Sequence, residues 1–255
     1  MKRLSPFAPL LTFVAILAIW EFVCRTFAVP SFVLPMPSAI VRAGSDLAAA
    51  QWRGHFLSTL EVVLAGYAIA IVVSLPLAMF LSASRFLSRT ILPLLVIIQS
   101  TPVVAIAPII VVILGTGILP RVVITFMISF MPLVISTAAG LQSAPTELIE
   151  LSRSLRAGRR REYLQIRLPC AVPYIFSGLK VSITLAVIGS VVGEFVASDQ
   201  GLGYLILIST SFFKVAQSFA ALGVLVASSL ILFQLVVLLR RLLFPWSLPK
   251  PGPSN

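Results

Sequence analysis

Six arginines, Arg153, Arg156, Arg159, Arg160, Arg161 and Arg167, fall within fifteen residues, and Glu147 and Glu150 stand just ahead of them. Charges grouped in this way can grip a partner's surface by paired hydrogen bonds, but they break no bonds themselves. Residue types that break bonds are scarce. His55 is the single histidine, and Cys24 and Cys170 are the two cysteines. One histidine and two distant cysteines do not make a zinc site of the usual spacing. His55, Asp46 and a serine can be drawn as a triad, but nothing in their spacing fixes its geometry. The chain has four lysines, and none follows a glycine as a phosphate-binding loop requires. This polypeptide therefore does not bind ATP through such a loop. Two further ionisable residues, Lys180 and Glu194, lie inside apolar runs. Carboxylates in such places face a bundle interior or water.

The elements around these residues are built for lipid. Of the 255 residues, 59% are hydrophobic and 11% charged, where a soluble domain carries about a quarter charged. The apolar runs are about 20 residues long, enough for a helix to cross about 30 Å of hydrocarbon. Barrel strands would alternate over about ten residues instead. The net charge of +11 is topogenic, because the basic residues flank the spans; nucleic-acid binding is not expected.

Six spans are expected, at about 7–29, 57–83, 91–114, 119–141, 174–196 and 219–239. The first begins like a signal peptide, after Lys2 and Arg3, but no small-x-small cleavage site follows, so a retained helix is expected. Glu21 and Arg25 near its end have the i, i+4 order of a helical ion pair. Excluding Lys180, the Lys and Arg count is 13 on the N-terminal side of these spans and 5 on the other. That places both termini of a multi-pass membrane protein in the cytoplasm. The expected division is an N-terminal transmembrane helix at 1–29, an extracytoplasmic segment at 30–56, a core at 57–245 that includes the loop 142–173, and a cytoplasmic tail at 246–255.

The basic loop reads as more than a topogenic tether. Residues 143–158 suit a short helix with Ser143 as N-cap, Pro145 in the first turn and Gly158 as the stop. Glu147 and Glu150 lie toward the positive end of its dipole, and the arginines toward the negative end. Leu148, Leu151 and Leu155 follow i, i+3, i+7 and form one apolar stripe. So short a helix needs packing partners to persist.

Glu150-Leu151-Ser152, followed at the right distance by Ile166-Arg167-Leu168-Pro169, resembles the cytoplasmic motif of permease subunits of ATP-binding-cassette importers. That pattern is Glu-Ala-Ala, three residues, Gly, nine residues, Ile-x-Leu-Pro. Arg156 stands where its glycine is expected, and Gly158 comes two residues late, which would shift the helix break. Leu34-Pro35-Met36-Pro37-Ser38, the Pro102–Pro108 run, Gly178-Leu179-Lys180 and Gly193-Glu194-Phe195 are similar to the nitrate, sulfonate and taurine branch, which includes carriers of pyrimidine-type vitamin precursors. The resemblance covers about 30–245.

It implies an all-α type I importer permease fold: six transmembrane helices with a cytoplasmic coupling helix between the fourth and fifth. It also implies a non-enzymatic subunit without a cofactor of its own, because ATP is bound by partners. Those partners are two ATPase subunits, a second permease subunit in a homodimer, and an extracytoplasmic solute-binding protein, with lipid around them. The solute is nitrate-, alkanesulfonate- or taurine-like, or a vitamin precursor. Residues expected to couple to the ATPase are Leu148, Glu150, Leu151, Ser152, Arg153, Leu155, Arg156 and Gly158.

For the pathway, the third span offers Gln99, Thr101, Pro102 and Pro108. Each proline frees a carbonyl and can kink the helix. The polar side chains either line a cavity or re-satisfy that backbone. Glu194 is either a gate residue near the outer mouth or a carboxylate that structures the glycine-containing loop after it. Lys180 is placed to snorkel. The competing class is an autonomous carrier or channel, which would need ionisable residues paired across several spans. A membrane enzyme has less still to support it.

Overall fold

The computed structural model describes residues 8–84, 86, 90, 91, 93–95, 97 and 100–247, the side chain of residue 9 aside. Among them the structure is helical: α1 (Ala8–Thr26), α2 (Pro37–Asp46), α3 (Ala49–Ser82), α4 (Val103–Leu114), α5 (Ile118–Gln142), α6 (Thr146–Ser154), a four-residue α7 (Arg159–Glu162), a π-helical turn (Tyr163–Arg167), α8 (Leu168–Ala197), α9 (Leu202–Ser211) and α10 (Val215–Leu243), closed by a 3-10 turn (Pro245–Ser247).

The centre is a three-helix unit of α3, α5 and α8. α5 and α8 pack antiparallel along a seam of small residues. A Cβ on Gly140 would come within 2.6 Å of the Tyr174 Cβ, one on Gly178 within 2.8 Å of the Ser136 Cβ, and one on Gly189 within 2.8 Å of the Thr125 Cα. On α5 the contacts fall at 125, 136 and 140, and on α8 at 189, 178 and 174. Steps of four and eleven residues keep one helical face in line, since eleven residues make about three turns. Small residues let backbones approach closely where lipid removes the hydrophobic drive between helices. α3 joins the same seam in parallel with α5. Its Gly66 abuts Thr125, and Ser74 Oγ donates to Phe130 O at 3.1 Å. Ala78 and Leu81 meet Val134 and Ala138 near the end that carries α6. Along α8, Ile183, Ala186 and Val187 form a second apolar cluster with Val63, Leu202 and Leu225.

The expected count of six spans is corrected here. Among the described residues, four helices are long and apolar enough to cross a membrane: Ala49–Ser82, Ile118–Gln142, Arg159–Ala197 and Val215–Leu243. They match the second, fourth, fifth and sixth expected spans. α1 is not among these four, and its last turns carry Glu21 and Arg25. The third expected span breaks at Ser100–Thr101, where the chain turns. Pro102 is extended (ψ 106°) ahead of the 12-residue α4, about 18 Å long.

α1 is tied to the segment that follows it. Glu21 pairs with Arg25 at 2.7 Å, as the spacing predicts, and also accepts the Ser38 N–H (3.0 Å) and the Ser38 hydroxyl (2.8 Å). The Leu34–Ser38 motif is thus pinned at the start of α2. α3 begins at Ala49 and runs unbroken through residue 57.

Candidate functional site

The loop between α5 and α8 carries most of the expected site residues. Ser143 does not cap α6. It closes α5, with its N–H and its hydroxyl both donated to Gly140 O (3.2 and 2.8 Å). Pro145 takes the N-cap position in extended geometry, and α6 runs only from Thr146 to Ser154. Its C-terminus is a Schellman motif: Ala157 N–H donates to Ser152 O (2.9 Å) and Arg156 N–H to Arg153 O (2.9 Å). Arg156 itself holds the left-handed conformation, φ 52°. The helix therefore breaks at the motif's glycine position, even though that position holds arginine. Gly158 is not the stop; it is extended and stands at the N-cap of α7.

The leucine stripe forms as its spacing predicts and faces outward. Leu148, Leu151 and Leu155 are 44%, 56% and 74% exposed. They border a groove of about 300 Å³ whose far wall includes Arg161, Gln165 and Ile166. Glu150 and Arg153 are exposed, while Ser152 is buried beneath the helix.

What holds this loop to the bundle is Glu162. It is buried and pairs with Arg167 at 2.8 Å and with Arg153 at 3.7 Å. Arg167 also reaches Leu141 O (3.4 Å) at the end of α5, and its guanidinium lies 5.6 Å from the Tyr163 ring centre. Residues 162 and 167 meet because the turn between them is π-helical, which stacks positions five apart. Leu168 N–H donates to Tyr163 O, five residues back. Pro169 has no N–H to continue a regular α register.

At the opposite end of the bundle, the start of α9 is held by side chains from α3 and α8. His55 Nδ1 accepts the Gly201 N–H (3.2 Å), Thr59 Oγ1 accepts the Leu202 N–H (2.7 Å), and Glu194 Oε2 accepts the Gly203 N–H (2.6 Å). These N–H groups at a helix start have no partner within the helix itself. Glu194 is fully buried, and Gly201, at φ +119°, leaves no room for a Cβ against its carboxylate. Arg121 closes the same end, bonding Ser198 Oγ (3.0 Å) and Ser58 Oγ (3.3 Å).

Of the expected pathway residues, Thr101, Pro102 and Pro108 are exposed along α4 and the turn before it. Gln99 lies outside the described residues. Glu194 lies near the C-terminal end of α8, away from the coupling set at the other end of that helix. Lys180 Nζ lies 6.0 Å from the Phe233 ring centre. Sequence reasoning missed Glu162 and Thr59, and weighed His55 only for a zinc site or a triad, not as the acceptor of the Gly201 N–H. The i, i+4 step from His55 to Thr59 ahead of a Gly-x-Gly turn was the available signal for Thr59 and for this role of His55.

Residues 66–246 match the family model described as "Binding-protein-dependent transport system inner membrane component". The formylaminopyrimidine transport permease protein ThiX of Halalkalibacterium halodurans is 32% identical, over 96% of this chain and 98% of its own. The riboflavin transport system permease protein RibX of Chloroflexus aurantiacus is 35% identical, over 92% and 88%. A solved structure of the MetNI methionine ABC transporter in an inward-facing conformation shares the fold, with a TM-score of 0.62 at 21% identity, over 85% of this chain and 99% of that one. With its long apolar helices, buried glycine seam and motif-bearing loop, the chain is a non-catalytic, multi-pass ABC-importer permease and belongs to the binding-protein-dependent transport system inner membrane component family.

Proposed function

We propose that this chain forms half of the translocation pathway of an ATP-driven importer for a small pyrimidine-bearing solute, and that α6 is its coupling helix. Two copies pair in the membrane, two ATPase subunits dock beneath them, and an extracytoplasmic binding protein delivers the solute. Both termini then lie in the cytoplasm. The observation that carries this reading is the open leucine stripe on α6. Three large apolar side chains face solvent on a helix too short to persist alone, and a partner must cover them. Leu148, Leu151 and Leu155 fill a groove on the ATPase. Glu150, Arg153 and Arg156 make charged contacts at its rim, and Ser152 and Gly158 set the geometry behind them. Closure of the ATPases pushes on α6, and the Glu162–Arg167 pair passes that push to α8.

Thr101, Pro102 and Pro108, with Gln99 beside them, line the pathway from the unpacked face of α4. Glu194 acts at the far mouth through the α9 start that it holds. The solute assignment rests on the formylaminopyrimidine and riboflavin permeases, both similar over nearly the whole chain. Their solutes share a pyrimidine ring, the second within its fused ring system. Nitrate, alkanesulfonates and taurine lack one.

The test is the complete complex in proteoliposomes. Leu151→Asp places a charge in an apolar contact and is expected to cut ATPase co-purification and ATP-driven uptake at least tenfold, a loss of about 1.4 kcal/mol or more. The chain itself should still insert and remain folded. Full ATPase retention by this variant would remove α6 from the coupling role. Uptake of taurine but not of a formylaminopyrimidine would overturn the solute assignment alone.

A further inference from the structure

Behind α6, where α3 ends, lies a cleft of about 650 Å³. Arg153, Arg159, Arg160 and Arg167 line it, with Glu162 as the only carboxylate. Glu162 is spoken for: Arg167 holds it at 2.8 Å and Arg153 lies 3.7 Å from it. Arg159 and Arg160 have no carboxylate partner among the described residues, and both are exposed. The wall therefore carries three positive charges in excess, four arginines against one glutamate. The hydroxyls of Ser82 and Tyr163 touch one another and line the same cleft. The helix-end carbonyl beside them does not compete for cations, because Met79 O already accepts from Ala83 N–H (3.2 Å) and from one of the two hydroxyls, Ser82 Oγ (2.9 Å) or Tyr163 Oη (3.1 Å).

From this arrangement we propose that the cleft binds a phosphate group. Guanidinium groups match phosphate oxygens with two parallel hydrogen bonds, and unpaired arginines facing one cavity are the donors such a group needs. The cleft opens at the terminus of α3, one of the four helices apolar enough to cross a membrane. A phosphodiester headgroup of an anionic phospholipid reaches that level, as does free phosphate. Arg153 connects the cleft to α6, so a phosphate seated there would brace the loop helix against α3. The binding claim does not depend on the ATPase. The bracing role rests on α6 being the coupling helix.

The experiment is native mass spectrometry on the full-length chain, exchanged into micelles doped with equal amounts of phosphatidylglycerol and phosphatidylcholine of the same chain length. Wild type is expected to retain phosphatidylglycerol selectively. Arg159→Gln with Arg160→Gln removes two contacts of about fivefold each and should erase most of that preference. Arg240→Gln with Arg241→Gln, at the far end of α10, should leave it intact. Displacement of the lipid by millimolar inorganic phosphate would assign the site to free phosphate, and resistance to displacement would assign it to the headgroup. Either supports the cleft as a phosphate site. No selectivity in wild type, or equal loss in the two double variants, overturns it. Thermal midpoints of both variants within error of wild type confirm that the fold is retained. Because no ATPase is present, a failure here leaves the coupling assignment standing, and the reverse also holds.

Discussion

Arg156 shows how a residue can depart from a motif while its conformation does not. A glycine at this place in the pattern could enter the left-handed region without a Cβ penalty, and here arginine occupies that region at φ 52°. The left-handed region costs a residue with a Cβ about 1–2 kcal/mol, part of which glycine loses again to its freer unfolded chain. Arg156→Gly is therefore expected to stabilise the end of α6 by about 0.5–1 kcal/mol. The Ala157 amide, bonded to Ser152 O, should then exchange its hydrogen about two- to fivefold more slowly. Faster exchange would mean that the arginine side chain, not the turn, holds the loop. The break was misplaced from sequence because Gly158 is the stronger glycine signal, and the motif register alone argued for position 156. Glu162 was illegible for a different reason. Pairing rules look three and four residues along a helix, and this pair is five apart across a π-turn. The buried carboxylate Glu194 was legible as unusual, but its bond to the Gly203 N–H depends on how α8 and α9 fold back on each other.

At the level of elements, the hydrophobic runs predicted α5 to within one residue at each end and α8 except for its first six residues. Their order of packing was not in the runs. It resides in Gly140, Gly178 and Gly189, whose spacing makes sense only once α5 and α8 are laid antiparallel. Gly178→Leu would force a side chain into the space occupied by Ser136, 2.8 Å from the new Cβ. Overpacking of this kind costs about 1–3 kcal/mol, and the thermal midpoint in detergent should fall accordingly. Gly54→Ala in α3, with open space around it, should leave the midpoint unchanged or slightly raised. Equal midpoints for the two variants would show that the seam tolerates separation. The third expected span failed at element scale as well. Average hydropathy treats 91–114 as one run, whereas the turn at Ser100–Thr101 and the extended Pro102 divide it.

At the scale of the whole molecule, burial is uneven. In α3, α5 and α8, 39–44% of the most apolar window is buried inside the chain, against 11% in α10. The three-helix unit supplies much of its own packing, while α10 and one face of α4 are largely uncovered by the rest of the chain. Composition made the membrane class legible, and the loop motif made the family legible. The share of each helix left open was not legible, because a lipid-facing leucine and a packed one look alike in sequence. The open stripe on α6 bears on the fate of the chain in the cell. Under the proposed coupling role of α6, a copy made without its ATPase leaves Leu148, Leu151 and Leu155 bare, the kind of surface that proteases and chaperones survey. Subunit stoichiometry would then be enforced by turnover. In cells lacking the ATPase, the chain's half-life should shorten several-fold. Replacing Leu148, Leu151 and Leu155 with serine should lengthen it again, and a pulse-chase showing identical decay with and without those leucines would refute that account.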